Sequence, residues 1–348
     1  MSTRILVTGA QGFIGRYAVA EFLRSGVSEV LGVGRSSLMP HHFTHKILRD
    51  RVEQPALLTP ALAEALADQR FRYQAANIAD KTKMARLICN FRPDCVVHLA
   101  SSRREEPVEC LIYGNVQGIN SLVEACDGSG VGRIVFGSSG GVYGAPSAGT
   151  LPFRESGSCF PADRYAESKL AGEHLARTLC ERRGIELVIG RIFNVVGPAQ
   201  DERHVCGSLA SRVAAIRKNE QPPVISVSGL SVTRDYIDVR DVSYALRLLV
   251  RRGVSGEVYN IASGIESSVG TILDLLCDFA GLRGRVEIRQ LPACGGIARH
   301  VASIEKLSTI GFRGGFDLAA SLRGVLDYYL SPGGFGVIQS ALVGQRGS

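Results

Sequence analysis

Short apolar strands alternate with helical stretches along the first 140 residues of the chain. The strands lie near residues 4–8, 30–34, 71–75, 94–100 and 133–136. No hairpin turn sequence joins consecutive strands, which predicts a parallel, doubly wound sheet of the α/β class. Because ligands of such sheets bind at the carboxyl ends of the strands, we expect functional residues along that one edge.

The first strand leads directly into a glycine-rich turn and then into a helix. The turn reads Gly9-Ala10-Gln11-Gly12-Phe13-Ile14-Gly15, and the helix runs to about Ser25. Glycines permit a tight turn and close approach of the backbone to a pyrophosphate, and the helix N-terminus offers it unpaired N–H groups. The spacing G-x-x-G-x-x-G differs from the common G-x-G-x-x-G fingerprint. Its position between a strand and a helix still predicts a dinucleotide site.

The end of the second strand bears on which dinucleotide is bound. An acidic residue there would bind the ribose 2′-hydroxyl of NAD, whereas an arginine accommodates the 2′-phosphate of NADP. The chain has Arg35-Ser36-Ser37 at this place and no acid. We therefore predict NADP(H) rather than NAD. The alternative is that Arg35 is only a surface loop residue.

A tyrosine and a lysine four residues apart are the candidate acid/base pair. Tyr165 and Lys169 fall on a predicted helix, so their side chains share one face. A cation beside a phenol favours the phenolate and lowers the pKa of the phenol from about 10. Such a pair could give or take the proton of an alcohol while another group carries the hydride. Tyr-x-x-x-Lys also occurs by chance on solvated helices.

Composition argues against several other classes of protein. The nine cysteines are scattered without a Cys-x-x-Cys, which predicts no metal site and a reducing, cytoplasmic location. The net charge is +7, but the basic residues are dispersed, so no nucleic-acid partner is expected. No apolar run approaches the roughly 18 residues of a membrane helix. The N-terminus resembles the start of a strand rather than a signal peptide.

The chain is similar to the extended short-chain dehydrogenases/reductases of the nucleotide-sugar epimerase/dehydratase kind, over residues 4 to about 330. The matching segments follow the family's order. They are Thr8-Gly9-x-x-Gly12-Phe13-Ile14-Gly15, His98-Leu99-Ala100, Asn115-Val116-x-Gly118, Ser138-Ser139-x-x-Val142-Tyr143-Gly144, Tyr165-x-x-Ser168-Lys169, Arg191-x-Phe193-Asn194-Val195-x-Gly197-Pro198 and Arg234-Asp235-Tyr236-Ile237-x-Val239-x-Asp241-Val242.

The resemblance implies a role for each matching residue. It implies Tyr165 as acid/base, Lys169 on the nicotinamide ribose, Ser139 orienting the substrate oxygen, and Asn115 beside them. Substrate contacts are implied at Ser101, Ser138, Ser139, Asn194, Arg234 and Arg299. Cofactor contacts are implied at Gly9, Gln11, Gly12, Phe13, Ile14, Gly15, Arg35, Ser36, Asn77, Ile78, Leu99, Ala100, Tyr165, Lys169 and Ile192. Arg234 and Arg299 suit phosphate oxygens, although each could instead form a surface salt bridge.

One departure from the family pattern bears on the reaction. The family's sugar 4,6-dehydratases carry an acid just before Val142-Tyr143-Gly144, where this chain has Gly140 and Gly141. Glycine cannot transfer a proton, which leaves ketoreduction or epimerisation. Arg35 favours a dissociable NADPH, and residues 197–200 and 222–242 look most like GDP-4-keto-6-deoxy-mannose reductases. The resemblance thus predicts a reductase of a nucleotide-diphosphate 4-keto-6-deoxy sugar, with an NAD-dependent nucleotide-sugar 4-epimerase or a non-catalytic NADP-sensing module as alternatives.

The resemblance also implies how the chain is divided. A Rossmann domain is expected over residues 1–193 with about 235–264. A smaller, discontinuous C-terminal lobe over 194–234 and 265–330 would bind the nucleotide sugar, and residues 331–348 would form a flexible tail. Helices 108–127 and 161–183 form a dimer interface in the family, so a homodimer is expected. Their apolar faces could equally belong to the core.

Overall fold

The computed structural model describes residues 3–37, 43, 45–49, 52–147, 149–292 and 296–331. Within these residues the strands are β1 (Arg4–Thr8), β2 (Glu29–Gly34), β3 (Lys46–Arg49), β4 (Val52–Pro55), β5 (Phe71–Ala75), β6 (Cys95–His98), β7 (Arg133–Ser139), β8 (Glu186–Ile192), β9 (Asn194–Val196), β10 (Val224–Ser228), β11 (Thr233–Asp238), β12 (Val258–Ile261), β13 (Glu266–Ser268), β14 (Glu287–Leu291) and β15 (Arg299–His300).

The α-helices of the same residues are α1 (Phe13–Arg24), α2 (Pro60–Leu66), α3 (Lys81–Phe91), α4 (Val108–Leu111), α5 (Gly118–Cys126), α6 (Arg164–Arg183), α7 (Val205–Arg217), α8 (Val239–Arg252), α9 (Val269–Phe279), α10 (Glu305–Thr309) and α11 (Leu318–Leu330). A π-helical segment (Ile112–Gln117) joins α4 to α5, and a 3-10 segment (Gly140–Tyr143) follows β7. Asp80 and Asp163 cap α3 and α6, as expected of aspartate at a helix start.

The main sheet has the strand order β12-β8-β7-β6-β1-β2-β5, and every neighbouring pair is parallel. The order runs outward in both directions from β1, which makes the sheet doubly wound. The predicted fold class is therefore confirmed. All the strands end at one edge, where β1 brings Thr8 beside Val33 and His98 of its two neighbours.

Both faces of this sheet are covered by helices. Side chains alternate between the faces along each strand: Ile5 and Val7 pack with α1 and α8, whereas Leu6 and Leu31 pack with α3, α5 and α6. Every strand of this sheet except the edge strand β5 is consequently buried along most of its length, which is why these strands are largely apolar in the sequence. Strand β5 alternates half-buried and exposed residues.

The C-terminal part of the chain forms a second, smaller core. Helices α7, α9 and α11 pack around Leu209, Leu273 and Leu326, all of them buried. A small sheet of β13, β11, β15 and β9 lies between this core and the main sheet, and β10 pairs with β14. The sequence predicts strands at 224–228 and 286–290, which correspond to β10 and β14, but it does not predict the small sheet. The residue bounds of the two predicted domains stay a prediction.

The stretch between β2 and β5 differs from expectation. The sequence predicts only a long insertion over residues 36–70, with His41, His42 and His45 as exposed loop residues. The structure instead forms an antiparallel hairpin of β3 and β4 there. Arg49 Nη2 donates to the Ser331 carbonyl at 3.2 Å, and the Leu57 amide donates to the Tyr328 hydroxyl at 3.1 Å. The hairpin therefore ties the insertion to the C-terminal core. His45 was expected to be exposed, which is wrong, because it is half-buried against the Gln11 carbonyl.

Several other expectations concern parts of the chain outside the described residues. They are His41, His42, Cys294 and residues 332–348 of the predicted tail. Among the described residues, no helix is long and apolar enough to cross a membrane. Nor do the described histidine, cysteine and acidic side chains form any group of three or more that could hold a metal ion.

Candidate active site

A cleft of about 600 Å³ opens at the carboxyl edge of the main sheet. It extends from the glycine turn to the small sheet, so that both parts of the chain contribute to its walls. The predicted site residues that line it are Gly9, Gly12, Phe13, Ile14, Gly15, Leu99, Ser101, Ser138, Ser139, Tyr165, Lys169, Ile192, Asn194 and Arg234. The structure thus brings the tyrosine, the lysine and the serine into the same cleft as the glycine turn.

The glycine turn is packed too tightly for side chains at two of its three glycines. A Cβ at Gly15 would lie 2.1 Å from the Gly9 carbonyl oxygen, and a Cβ at Gly9 would lie 2.7 Å from the Ala100 amide nitrogen. Gly9 also has a φ of 68°, which favours glycine. Helix α1 begins at the cleft with no side-chain cap on its first N–H groups. This cradle fits the pyrophosphate of a dinucleotide, because the backbone can approach closely and free donors face it.

Helix α6 carries Tyr165 and Lys169 into the cleft on its first turns. The Asp163 carboxylate accepts from the Ala166 amide at 2.9 Å and fixes the start of the helix. Lys169 is 3% exposed, and its Nζ donates to the Gly137 carbonyl at 2.6 Å. Burial lowers the pKa of Lys169 to about 8, against the opposing charge of Glu173. The ammonium is thereby anchored to the end of β7.

The pKa of Tyr165 differs from the sequence prediction. We expected Lys169 to lower it, but burial raises the pKa of this phenol, while a hydrogen bond with Ser101 and the charge of Arg104 act in the opposite direction. The prediction was wrong because it counted the neighbouring cation and not the removal of the phenol from water. A raised pKa keeps the hydroxyl protonated at neutral pH, which is the form that donates a proton.

The two serines at the end of β7 have different surroundings. Ser139 Oγ accepts from the Gly141 amide at 3.1 Å and remains at the cleft wall. Ser138 Oγ donates to Glu173 at 2.5 Å, and Glu173 pairs with Arg191 at 2.8 Å. Of the two hydroxyl protons, that of Ser139 is the one left to point toward a ligand.

Asn115 does not line the cleft but holds two of its walls together. Its Oδ1 accepts from Ser101 Oγ at 2.8 Å and from the Ser102 amide at 2.9 Å, and its Nδ2 donates to Ser168 Oγ at 2.8 Å. The loop after β6 is thereby linked to α6, one turn from Tyr165. This geometry supports a positioning role for Asn115 rather than contact with the reacting atoms.

The two arginines predicted to bind phosphate have different partners. Arg234 lies at the cleft, where its guanidinium donates to the carbonyls of Thr233 and Ile297 at 2.7 Å each. Arg299 instead makes a two-pronged ion pair with Glu266, with the shorter contact at 2.6 Å, and does not line the cleft. The neighbouring carboxylate on β13 draws Arg299 away, so the alternative of a salt bridge describes it better.

Other predicted cofactor residues lie outside the cleft lining. They are Gln11, Arg35, Ser36, Asn77, Ile78 and Ala100. Arg35 is 66% exposed and 3.9 Å from Glu106. Gln11 Oε1 accepts from the Tyr73 hydroxyl at 2.8 Å, whereas its buried Nε2 has no hydrogen-bond partner among the residues that the structure describes. Ile78 is buried in the core against α5.

Sequence reasoning missed five cleft residues that carry a guanidinium or imidazole side chain: Arg103, Arg104, Arg203, His204 and His300. His300 is 6% exposed and packs on Phe193 with ring centroids 5.0 Å apart. One of its ring nitrogens bonds to the Gly140 backbone, while Nε2 has no partner in the part of the chain that the structure describes. Burial lowers the pKa of His300 to about 4, so its ring is neutral at pH 7. No local pattern could reveal these residues, because loops and a two-residue strand carry them to the cleft.

This combination of fold and site defines a class: an extended short-chain dehydrogenase/reductase, with a glycine turn, a serine and a Tyr-x-x-x-Lys helix at one sheet edge. Sequence comparison then shows the family. The profile of the NAD dependent epimerase/dehydratase family matches residues 5–262, about three quarters of the chain. The chain belongs to this family, which confirms the resemblance found in its motifs.

The relatives include enzymes that catalyse different reactions. A GDP-6-deoxy-D-mannose reductase of Pseudomonas aeruginosa is 34% identical over 207 residues, which cover 58% of this chain and 67% of the relative. The solved structure of RMD from Pseudomonas aeruginosa with NADPH has a TM-score of 0.76 at 26% identity, covering 94% and 99% of the two chains. The UDP-glucose 4-epimerase of Thermus thermophilus, solved with NAD, has a TM-score of 0.75 at 28% identity and the same coverage.

Proposed function

We propose that the protein is an NADPH-dependent ketoreductase that acts on a nucleotide-diphosphate 4-keto-6-deoxy sugar. The observation that carries the proposal is the meeting of Tyr165, Lys169 and Ser139 in one cleft with the glycine turn. Next to them stand Gly140 and Gly141, which provide no acid for a dehydration. The cleft thus has the groups for proton transfer to one oxygen.

When bound, the nicotinamide supplies a hydride to the keto carbon. Ser139 Oγ donates a hydrogen bond to the keto oxygen and fixes its direction. The Tyr165 hydroxyl gives its proton to that oxygen as negative charge develops there, and the phenolate remains on the protein. Lys169, anchored on the Gly137 carbonyl, stabilises this phenolate by its positive charge. Asn115 holds Ser101 and α6 in fixed positions relative to each other during the reaction.

The other end of the substrate is assigned to Arg234 and Asn194. The Arg234 guanidinium bonds to backbone carbonyls, and within the described part of the chain no carboxylate neutralises its charge. A diphosphate would neutralise the positive charge of the guanidinium and form charge-assisted hydrogen bonds with it. Asn194 is exposed at the same wall of the cleft. The proposal omits Arg299 because Glu266 already neutralises it.

The choice of NADPH rests on Arg35. Its side chain lies just past the end of β2 and is exposed, with a loose contact to Glu106 at 3.9 Å. A 2′-phosphate could therefore draw the guanidinium without breaking a close ion pair. Gln11 Nε2, which is buried and has no partner within the described ranges, offers a further donor next to this turn.

Replacing Arg35 with alanine is expected to weaken NADPH binding by about ten- to a hundredfold and to leave NADH binding nearly unchanged. A hydrogen bond to a charged group contributes about 1.5–3 kcal/mol, and only NADPH has the phosphate. Titration of each dinucleotide, followed by the fluorescence of its reduced nicotinamide or by calorimetry, measures the effect. Arg72→Ala is the matched control, since Arg72 is also 66% exposed but lies on β5 beside Glu29. Equal losses for the two dinucleotides would contradict the assignment.

Mixing the purified protein with NADPH and a panel of nucleotide-diphosphate 4-keto-6-deoxy sugars is expected to oxidise NADPH with one member of the panel. Loss of nicotinamide absorbance follows the reaction, and chromatography identifies the reduced sugar. Absence of turnover with every member of the panel would count against the proposal. The panel should include several nucleoside bases, so that the base preference is measured at the same time.

A second candidate is a nucleotide-sugar 4-epimerase. It is favoured by the likeness to the Thermus thermophilus epimerase, which extends over 94% of this chain. Epimerisation uses Tyr165 first as base and then as acid, with no net consumption of cofactor. Protein that carries bound NAD and interconverts sugar nucleotides without added cofactor would establish this alternative.

A homodimer is also part of the proposal. The half-exposed side chains of Ile112 and Tyr113 offer an apolar surface for contact between the two subunits.

A further inference from the structure

The guanidinium of Arg104 covers one face of the Tyr165 ring. Its central carbon lies 5.2 Å from the ring centroid, within the range of a cation–π contact. The same guanidinium pairs with Asp163 Oδ2 at 2.5 Å. Asp163 uses its other oxygen, Oδ1, to cap α6 through the Ala166 amide. Arg104 is therefore held over the phenol by the residue that also fixes the start of the tyrosine's own helix.

Arg104 comes from the loop that follows β6, the loop that also carries Ser101. Asn115 anchors this loop, so the guanidinium and Ser101 reach Tyr165 from one rigid support. A Cβ at Gly141 would lie 3.5 Å from Arg104 Nη2. A side chain larger than alanine at position 141 would therefore compete with the arginine for this space.

We propose that Arg104 is a positioning residue for Tyr165, and that the Arg104–Asp163 pair clamps the phenol ring between the loop after β6 and the rest of the cleft. The inference rests on the proposed function for its catalytic meaning, but the clamp itself can be tested without substrate. Arg104 is then a fourth group of the site, beside the tyrosine, the lysine and the serine, and it contacts the tyrosine ring. A cation–π contact of this kind is made more often by arginine than by lysine.

The clamp has an electrostatic consequence for the phenol. Burial raises the pKa of Tyr165, Ser101 and Arg104 lower it, and Asp163 and Glu105 raise it. Lys169 lies four residues further along the same helix. His204 and His300 also face Arg104, but burial lowers the pKa of both, so they stay neutral near pH 7. Removing the guanidinium takes away the positive charge and leaves Asp163 unpaired, and both changes raise the pKa of Tyr165.

The test is a pH titration of Tyr165 by carbon-13 NMR of the tyrosine ring carbons, with Tyr165→Phe to identify the signal. Arg104→Gln is expected to move the titration midpoint upward, and Arg104→Lys to move it less because the charge is kept. In turnover, Arg104→Gln is expected to lower kcat by roughly tenfold through loss of alignment, and to shift the basic limb of the pH profile to higher pH.

Arg103→Gln is the matched control for the titration. Arg103 has the same exposed fraction as Arg104, 54%, but pairs with Glu53 and Glu106. The Arg103→Gln variant is expected to leave the midpoint of the Tyr165 titration unchanged. A midpoint in Arg104→Gln and Arg104→Lys equal to that of the unchanged protein would overturn the proposal. A shifted midpoint in a protein that reduces no keto sugar would leave the clamp standing and reject the reductase, so the two failures can be told apart.

Discussion

Replacing Tyr165 with phenylalanine is expected to reduce turnover by about a hundredfold to ten-thousandfold while leaving cofactor binding nearly intact. The variant keeps the ring that packs against Arg104 and removes only the proton donor. Transfer of a proton by a positioned side chain contributes a factor of this size. Single-turnover measurements at saturating NADPH and substrate separate the loss of chemistry from a loss of binding.

The control for this variant is Tyr244→Phe. Tyr244 donates to the Gly311 carbonyl at 3.3 Å and does not line the cleft. It removes one phenolic hydroxyl from a folded core without touching the proposed chemistry. Thermal stabilisation by NADPH should be the same in Tyr165→Phe, Tyr244→Phe and the unchanged protein. Turnover of Tyr165→Phe within a factor of three of the unchanged protein would remove the tyrosine from the mechanism.

Replacing Arg191 with methionine is expected to destabilise the fold by about 3–5 kcal/mol. Arg191 and Glu173 are paired at 2.8 Å with side chains only 7% and 2% exposed, and Glu173 also accepts from Ser138. Burial alone lowers the pKa of Arg191, but Glu173 more than offsets this. Removing one partner leaves a buried carboxylate without its counter-charge, which carries the full penalty. Urea unfolding at constant ionic strength measures the change.

Two further variants test whether the buried charge is the cause. Arg154→Met breaks the Arg154–Glu305 pair, whose side chains are 58% and 71% exposed, and is expected to change stability little because water screens such pairs. The double change Arg191→Met with Glu173→Leu removes both charges and should recover part of the loss. If Arg191→Met and Arg154→Met were equally mild, the pair would contribute far less than its burial implies.

The sequence predicted those parts of the fold and of the site that depend on residues close together in the chain. The glycine turn and the four-residue spacing of Tyr165 and Lys169 each depend on neighbours in the chain. Strands β1, β2, β6 and β7 were predictable because burial on both faces makes them nearly continuous apolar runs. These elements place the tyrosine, the lysine and Ser139 in one cleft.

What the sequence could not predict depends on contacts between distant residues. Arg299 was expected at the cleft, but Glu266, 33 positions earlier, holds it elsewhere. Strand β15 has two residues and exists only because β11 pairs with it, so His300 had no local pattern to reveal it. The direction of the Tyr165 pKa shift required knowing how deeply the phenol is buried, which helical spacing does not report.

The π-helical segment at Ile112–Gln117 has a consequence for insertions and deletions in this chain. A π turn contains one more residue than an α turn, and each residue advances the helix by about 100°. Deleting a single residue there would therefore swing Asn115 a quarter-turn or more away from Ser168. The backbone of the segment would stay helical, and its N–H and C=O groups would still be hydrogen-bonded within the helix. Shortening the segment by one residue, with every other side chain unchanged, would then break the link between α6 and the loop that carries Ser101 and Arg104.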